Sequence, residues 1–233
     1  MLVWFDRMML RALLFDFDGL LLDTEAAAYG SWCEVYEEFG VELPLSIWVD
    51  EVIGRSAGAT AFDPVTYLEQ NAGVAVDREQ AIRLREKHKA RLSPTELLPG
   101  IPRLLDEVRE AGVSSAIVTS EYRDRVIGHL DRIGVTHPWE AIVCADGDAE
   151  RGKPSPALYL EALEQLAIDA RQAIAFEDSP NGVRAAKAAG VFCVVVPNDL
   201  TRGAPGLEVG DLMLASLSSL TLSQLQALSR WRA

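Results

Sequence analysis

The sequence has little positive charge for its length. Its 233 residues include 22 lysines and arginines against 35 aspartates and glutamates, a formal net charge of −13. Binding along a nucleic acid requires a basic surface that neutralises phosphates, and binding to an anionic membrane requires a basic patch. The composition therefore predicts neither nucleic acid nor membrane as the main partner. A small phosphorylated molecule remains compatible with it, because a few local cations or a metal ion can hold one phosphate.

Cysteine and long apolar segments are also scarce. The three cysteines, Cys33, Cys144 and Cys193, are odd in number and form no CxxC pair. This predicts a reducing compartment, the cytoplasm, with Cys144 and Cys193 as structural thiols. No run of about 20 apolar residues is present, and the N-terminus lacks a basic stretch and a cleavage site. We therefore expect neither a membrane span nor a signal peptide.

What the sequence does contain is an acidic pair at the end of an apolar run. Residues 13–25 read LLFDFDGLLLDTE. The run up to Phe15 is typical of a buried parallel strand, and it ends at Asp16, with Asp18 two positions later. Gly19 allows a tight backbone turn directly beside the acids. The pattern predicts two carboxylates at the carboxyl end of a central strand.

Residues 25–93 show helical periodicity and no alternation of strands with helices. Trp32, Val35, Tyr36 and Phe39 recur at the spacing of one helix face, and residues 61–71 and 77–92 are further helix candidates. We interpret this region as a small helical insert and call it the cap segment (residues 25–93). The rest of the chain, residues 1–24 and 94–233, is predicted to form one core.

Strands and helices alternate after residue 94, which predicts an α/β core with a Rossmann-like parallel sheet flanked by helices on both faces. Predicted strands are residues 11–15, 113–118, 141–144, 173–176, 192–196 and 212–215. Predicted helices are residues 101–110, 122–133, 155–167 and 181–189. In such a sheet, ligands bind beyond the carboxyl ends of the strands.

Polar side chains follow several of these predicted strands. They are four carboxylates, two hydroxyls and a nearby ammonium: Asp16, Asp18, Glu177, Asp178, Thr119, Ser120 and Lys153. Clustered carboxylates stay ionised only if cations lie among them. Lys153 supplies one cation, and Mg²⁺ is the expected second, because it prefers oxygen ligands and binds phosphate. The set predicts phosphoryl transfer through an aspartyl-phosphate, in which Asp16 attacks phosphorus and Asp18 serves as acid and base.

Four segments carry a resemblance to a known family. DFDGLLLDTE, Thr119-Ser120, Lys153-Pro154 and the EDSPNG run at residues 177–182 resemble, in order, the four motifs of the haloacid dehalogenase-like superfamily. The most similar branch has a helical cap inserted after the first motif and contains β-phosphoglucomutases and sugar or polyol phosphate phosphatases. The resemblance spans residues 11–215.

The resemblance implies a role for each site residue. Asp16 would be the nucleophile and a metal ligand, and Asp18 the acid and base, with its backbone carbonyl on the metal. The Thr119 hydroxyl and the Ser120 N–H would hold the phosphoryl group, with Lys153 balancing its charge. The Mg²⁺ site would be completed by Asp178 and Glu177. In the cap segment, Arg55 would contact the substrate, although an ordinary surface arginine is the alternative.

Three features favour a phosphatase over the related enzymes. Dehalogenases of the superfamily lack an acid at the position of Asp18. The mutases of the branch have a histidine where this chain has Ala28, and they tend to carry Ser-Ala after the second-motif strand, where this chain has Thr119-Ser120-Glu121. We therefore expect a Mg²⁺-dependent phosphatase of a small phosphorylated metabolite, as a monomer or small homo-oligomer. A sugar phosphomutase and a non-catalytic binding protein of the same fold remain the alternatives.

Three further features leave two interpretations open. The cap segment has a basic cluster that suggests either an anion funnel or, as we favour, a solvated helix face. Its members are Arg83, Arg85, Lys87, His88, Lys89 and Arg91. Asp146 either orients Lys153 or stabilises its own loop. Asn181 either supports the start of a helix or contacts the substrate.

Overall fold

The sheet is the element that positions every predicted site residue. The computed structural model describes residues 9–53 and 62–230. Six strands pair in parallel in the order β3-β2-β1-β4-β5-β6, so the first strand lies in the middle of the sheet. Their bounds are β1 Ala12–Phe15, β2 Ser114–Thr119, β3 Ala141–Cys144, β4 Ala173–Glu177, β5 Phe192–Val195 and β6 Leu212–Met213. The predicted α/β class and parallel sheet are confirmed.

The α-helices of the described chain fall into two groups, one in the cap segment and one in the rest of the chain. Those of the cap segment are α1 Thr24–Glu38, α2 Leu45–Glu51, α3 Pro64–Ala72 and α4 Arg78–Leu92. Those of the rest are α5 Ile101–Ala111, α6 Arg123–Arg132, α7 Ala157–Gln165, α8 Pro180–Ala188 and α9 Leu222–Arg230. No helix of these described parts is long and apolar enough to cross a bilayer.

Each face of the sheet is covered by its own apolar layer. Side chains alternate along a strand, so Leu13 and Phe15 of β1 enter one cluster while Ala12 and Leu14 enter the other. All four are fully buried. Phe15 also stacks on Phe176 of β4, with ring centroids 5.0 Å apart. This two-sided burial explains why the strand reads as a continuous apolar run in the sequence.

The cap segment has a separate apolar cluster built around aromatic side chains. Trp32 and Tyr36 of α1 pack with Trp48 of α2 and Leu68 of α3. Charged groups tie α1 to α4, because Glu34 pairs with both Arg91 and His88. In residues 25–53 and 62–93 no strand is present. The proposed division of the chain at residues 24 and 93 remains a prediction.

Several local predictions differ from the structure. Phe39, predicted on the inward face of the first helix, is 37% exposed, because α1 ends at Glu38 and the chain turns away there. The apolar Ile127 of the helix predicted over residues 122–133 is 38% exposed on α6, whereas its neighbours Val126 and Leu130 are buried. The sequence analysis missed the short α2 and the C-terminal α9.

Candidate active site

The predicted site residues meet at the carboxyl edge of the sheet. Because β1 lies between β2 and β4, Asp16 follows the central strand, Thr119 ends one neighbour and Glu177 ends the other. A cavity of about 170 Å³ opens at this edge, between the sheet and the cap segment. Among its lining residues are Asp16, Asp18, Thr119, Ser120, Lys153 and Asp178.

Lys153 binds two carboxylates below the cavity. Its ammonium pairs with Asp16 and lies 2.7 Å from Glu177 Oε1, and all three side chains are buried. Burial alone disfavours the charged ammonium, but the attraction of Asp16 and Glu177 outweighs it and raises the pKa of Lys153. The ammonium therefore remains charged and offsets part of the negative charge of the site.

Three carboxylates form a cluster that fits a divalent metal ion. Asp16, Glu177 and Asp178 each offer an oxygen, and these oxygens lie within 4.8 Å of one another. Glu177 Oε2 is buried and has no hydrogen-bond partner in the part of the chain that the structure describes. Burial, then the charges of Asp16 and Glu177, raise the pKa of Asp178. An all-oxygen cluster with an unsatisfied buried oxygen suits a hard cation such as Mg²⁺.

Asp18 has a different environment from Asp16. Thr24 Oγ1 donates a hydrogen bond to Asp18 Oδ1 at 2.5 Å. Burial, followed by the nearby charge of Glu121, raises the pKa of Asp18 to about 7. A carboxyl group that holds a proton near neutral pH can donate it to a leaving group.

Gly19 follows the two aspartates and packs against Asp178. It adopts a φ of 79°, and a Cβ there would lie 2.3 Å from Asp178 Oδ2. Only glycine fits this turn.

The loops after β2 and β3 contact each other beside the acids. The Lys153 backbone N–H donates to Ser120 Oγ at 3.0 Å, and the Glu121 N–H donates to Thr119 Oγ1 at 3.1 Å. The Thr119 and Ser120 side chains are both buried. These bonds fix the two hydroxyl-bearing residues and the lysine in one arrangement at the cavity wall.

Comparisons with known proteins agree with this geometry. Residues 13–196 match the family described as haloacid dehalogenase-like hydrolase. The protein YhcW of Bacillus subtilis is 41% identical over 218 residues, which cover 93% of this chain and 96% of YhcW. The chain belongs to the haloacid dehalogenase-like hydrolases. Thus the predicted superfamily is confirmed, and with it an enzyme of the hydrolase class.

Other relatives of this hydrolase are named for reactions on phosphorylated molecules. Validoxylamine A 7'-phosphate phosphatase of Streptomyces hygroscopicus is 31% identical, covering 90% of this chain and 95% of the relative. A β-phosphoglucomutase of Bacillus subtilis is 27% identical, covering 93% and 94%. The structure of CbbY from Rhodobacter sphaeroides with xylulose-(1,5)-bisphosphate has a TM-score of 0.70 at 27% identity, covering 94% of this chain and 100% of CbbY. The names agree with the predicted phosphoric monoester hydrolase class and the phosphoglucomutase-like branch.

Several residues at the candidate site of this hydrolase are not among those predicted from the sequence. Glu25 and Trp48 of the cap segment line the cavity. Burial, then the charges of Asp18 and Asp16, raise the pKa of Glu25 to about 8. Below the cavity, the Tyr159 hydroxyl donates to Glu177, and Asn198 Nδ2 donates to Asp178 Oδ2 at 2.7 Å. Of these, only Glu25 had a signal in the sequence, since it closes the first motif.

The structure places Asp146, Asn181 and the basic cluster, for which the sequence left two interpretations open, in different environments. Asp146 accepts the Arg123 N–H at 2.7 Å and so stabilises the start of α6. Asn181 Nδ2 donates to the carbonyl oxygen of Ile53 at 3.3 Å, which joins α8 to the cap segment. Arg85 and Lys89 line the cavity, so the favoured interpretation of the basic cluster as a solvated face is wrong for these two. Arg55 lies outside the described residues.

Proposed function

We propose that this hydrolase is a Mg²⁺-dependent phosphatase of a small phosphorylated metabolite, a sugar or polyol phosphate, acting in the cytoplasm. The observation that carries the proposal is the arrangement around Asp16. Asp16 is buried, pairs with Lys153 and lies in a cluster with Glu177 and Asp178. Asp18, two positions later, has a raised pKa, which suits a proton donor. One carboxylate is thus suited to attack and its neighbour to transfer protons.

The reaction would proceed in two displacements at phosphorus. A carboxylate oxygen of Asp16 attacks the phosphorus, the ester P–O bond breaks, and Asp18 gives its proton to the departing alcohol oxygen. In the second step the Asp18 carboxylate takes a proton from water, the water oxygen bonds to phosphorus, and the P–O bond to Asp16 breaks. Inorganic phosphate leaves, and both aspartates return to their starting forms.

The surrounding groups would hold the phosphoryl oxygens during both steps. The Thr119 hydroxyl and the Ser120 N–H are the donors, and Lys153 offsets the negative charge. Asp16 and Asp178, with Glu177 directly or through water and the Asp18 backbone carbonyl, would hold Mg²⁺. The bound ion would supply further positive charge to the transferring phosphoryl group.

One residue of the cavity favours hydrolysis over transfer of the phosphoryl group back to a sugar. Ala28 lines it where mutases of the branch carry a histidine, and an alanine can neither donate nor accept a proton. The name of the phosphatase relative and the xylulose-(1,5)-bisphosphate bound in the CbbY structure also support a small phosphorylated carbohydrate as substrate. The mutase alternative predicts phosphoryl transfer between sugar carbons when a sugar bisphosphate activator is added, which ³¹P NMR would detect.

A screen of phosphorylated metabolites tests the proposal. Phosphate release is measured with Mg²⁺, with EDTA, and after Mg²⁺ is restored. We expect release from sugar or polyol phosphates that stops with EDTA and returns with Mg²⁺. If the folded protein hydrolyses neither these compounds nor an activated ester such as p-nitrophenyl phosphate, the phosphatase proposal is overturned in favour of a binding protein.

A further inference from the structure

One part of the cavity wall carries positive charge that the proposed reaction does not use. Arg85 and Lys89 lie on α4 four residues apart, which places them on the same helix face. Arg125 lies on α6, on the core side. All three line the same cavity as Asp16, so cap and core both contribute to this wall.

The three cations are only partly neutralised by protein carboxylates. Arg85 pairs with Glu86, and Arg125 Nη1 lies 2.8 Å from Glu121 Oε2. Across residues 9–53 and 62–230, Lys89 has no ion pair. Burial is the largest cause that lowers the pKa of Lys89, and repulsion from the charges of Arg125 and Arg85 lowers it further. An anion placed among them would relieve this repulsion.

Arg85 is held in position by packing, and its side chain is only 19% exposed. The Arg85 guanidinium lies 5.9 Å from the centre of the Trp32 ring, and its Nε is buried without a hydrogen-bond partner. Trp32 belongs to the apolar cluster of the cap segment. Packing against the ring limits the positions that the guanidinium can adopt, and a guanidinium of fixed position suits directed binding of an oxyanion through its terminal N–H groups.

The transferring phosphoryl group does not need these residues. Its proposed partners are Thr119 at the end of β2, Ser120 directly after it and Lys153 in the loop after β3, whereas the three cations lie on α4 and α6. A substrate that reaches both sets must carry anionic groups at two positions. Phosphate and carboxylate share the required chemistry, since both accept several hydrogen bonds and bear negative charge.

We propose that Arg85, Lys89 and Arg125 bind a second anionic group of the substrate, so that the preferred substrate is a phosphorylated metabolite with a further phosphate or carboxylate. This inference rests on the proposed phosphatase function. The three cations would then select among substrates, because a substrate with a neutral hydroxyl at that position would leave their charges without an anion.

The test compares Lys89→Gln with a matched control, Lys87→Gln, which removes the same charge from an exposed position of α4 outside the cavity. The substrates are a sugar monophosphate, the bisphosphate of that sugar, and the monophosphate of the corresponding sugar acid. p-Nitrophenyl phosphate, with no second anion, reports the chemical step. Arg125→Gln serves as a second variant if Lys89→Gln folds poorly.

We expect Lys89→Gln to raise KM about tenfold or more for doubly anionic substrates, as expected for a lost charge-assisted hydrogen bond. KM for the monophosphate and p-nitrophenyl phosphate should not change, and Lys87→Gln should behave as wild type. An effect confined to the bisphosphate identifies the second group as phosphate, and one confined to the sugar acid identifies carboxylate.

Two results would overturn the inference while leaving the phosphatase proposal intact. In one, wild type and Lys89→Gln have equal KM for every substrate. In the other, Lys89→Gln affects singly and doubly anionic substrates alike. If wild type hydrolyses none of the substrates, including p-nitrophenyl phosphate, both proposals fail together.

Discussion

The sheet edge and the cap segment build their parts of the cavity in different ways. At the sheet edge, consecutive motifs follow parallel strands, and buried charges fix one another, as Lys153 does with Asp16 and Glu177. In the cap segment, an aromatic cluster positions the helices, and the cavity receives side chains such as Glu25 and Arg85 from their faces. We therefore propose that the edge sets the reaction and that the cap segment selects the substrate.

The largest effect should come from removing the proposed nucleophile. Asp16→Asn leaves no carboxylate to attack phosphorus, so we expect kcat to fall by about 10⁴-fold or more. The fold should persist, because the change also relieves repulsion with Glu177 and Asp178. Activity is measured by phosphate release and folding by circular dichroism. Asp146→Asn, at an acid that contacts Arg123 outside the cavity, should keep its turnover; equal loss in both variants would contradict the assignment.

A pair of helix glycines shows how tightly the sheet edge is packed. A Cβ at Gly182 of α8 would lie 1.7 Å from Glu177 Oε2, whereas one at Gly128 of α6 has no atom outside its own helix within 4 Å. Glu177 is held by Lys153 and Tyr159 and cannot move aside freely. We expect Gly182→Ala to lower the free energy of unfolding by about 2 kcal/mol. Gly128→Ala should raise it by about 0.5–1 kcal/mol.

Chemical denaturation of both glycine variants provides the measurement. If both variants raise the free energy of unfolding by a similar amount, Glu177 can move aside without loss of stability. The proposed contrast between a rigid sheet edge and an ordinary helix surface would then be wrong.

A smaller effect is expected at the junction of the two regions. The Thr24 hydroxyl stabilises the ionised form of Asp18, so Thr24→Val should raise the pKa of Asp18 further. The acid form then persists to higher pH, and the alkaline limb of kcat/KM should move upward. Turnover should fall about tenfold, because the deprotonated form needed for the second step becomes scarcer. Thr24→Ser keeps the hydroxyl and should keep the wild-type profile, which is measured with p-nitrophenyl phosphate.

The smallest expected effect is that of His129 on the free energy of unfolding at acid pH. Burial, then Arg132 and other cations, lower the pKa of His129 to about 4. The unfolded chain therefore binds a proton that the folded one does not, and stability falls as pH drops from about 6.5 towards 4. His129→Gln should reduce this acid loss by less than about 1 kcal/mol, since the ring is only half-buried.

Urea unfolding at pH 5 and at pH 8 measures the effect of His129. The variant should be relatively more stable only at pH 5, because the histidine is neutral in both states at pH 8. A difference of the same size at the two pH values would assign the effect to packing rather than to protonation.

The sheet edge was largely predictable from the sequence because its signals are local. An apolar strand followed by Asp16, or by Thr119, places the side chain at a known edge once the strands are parallel. The structure brings together the predicted residues of this edge, although their roles remain proposals. Tyr159 and Asn198 could not be found in this way, since each acts through a contact with a residue distant in the chain.

The cap segment was predictable as helical but not in its contacts. Which face of α4 meets the cavity depends on the partners against which the helix packs, and no local pattern encodes them. Arg85 and Lys89 therefore look in the sequence like Arg83 and Lys87 on the same helix. The cavity wall of the cap segment became visible only when the position of α4 against the core was known.

The hydrogen bond from Asn181 to Ile53 has a mechanical consequence. Asn181 lies in the first turn of α8, three residues after Asp178 of the acidic cluster, and its partner is a cap carbonyl 3.3 Å away. A hydrogen bond of this length is lost if the two atoms separate by about another 0.5 Å. The bond therefore restrains the cap segment at Ile53. Any movement of Ile53 away from α8 must break this bond, and the bond lies within one helical turn of the acidic cluster.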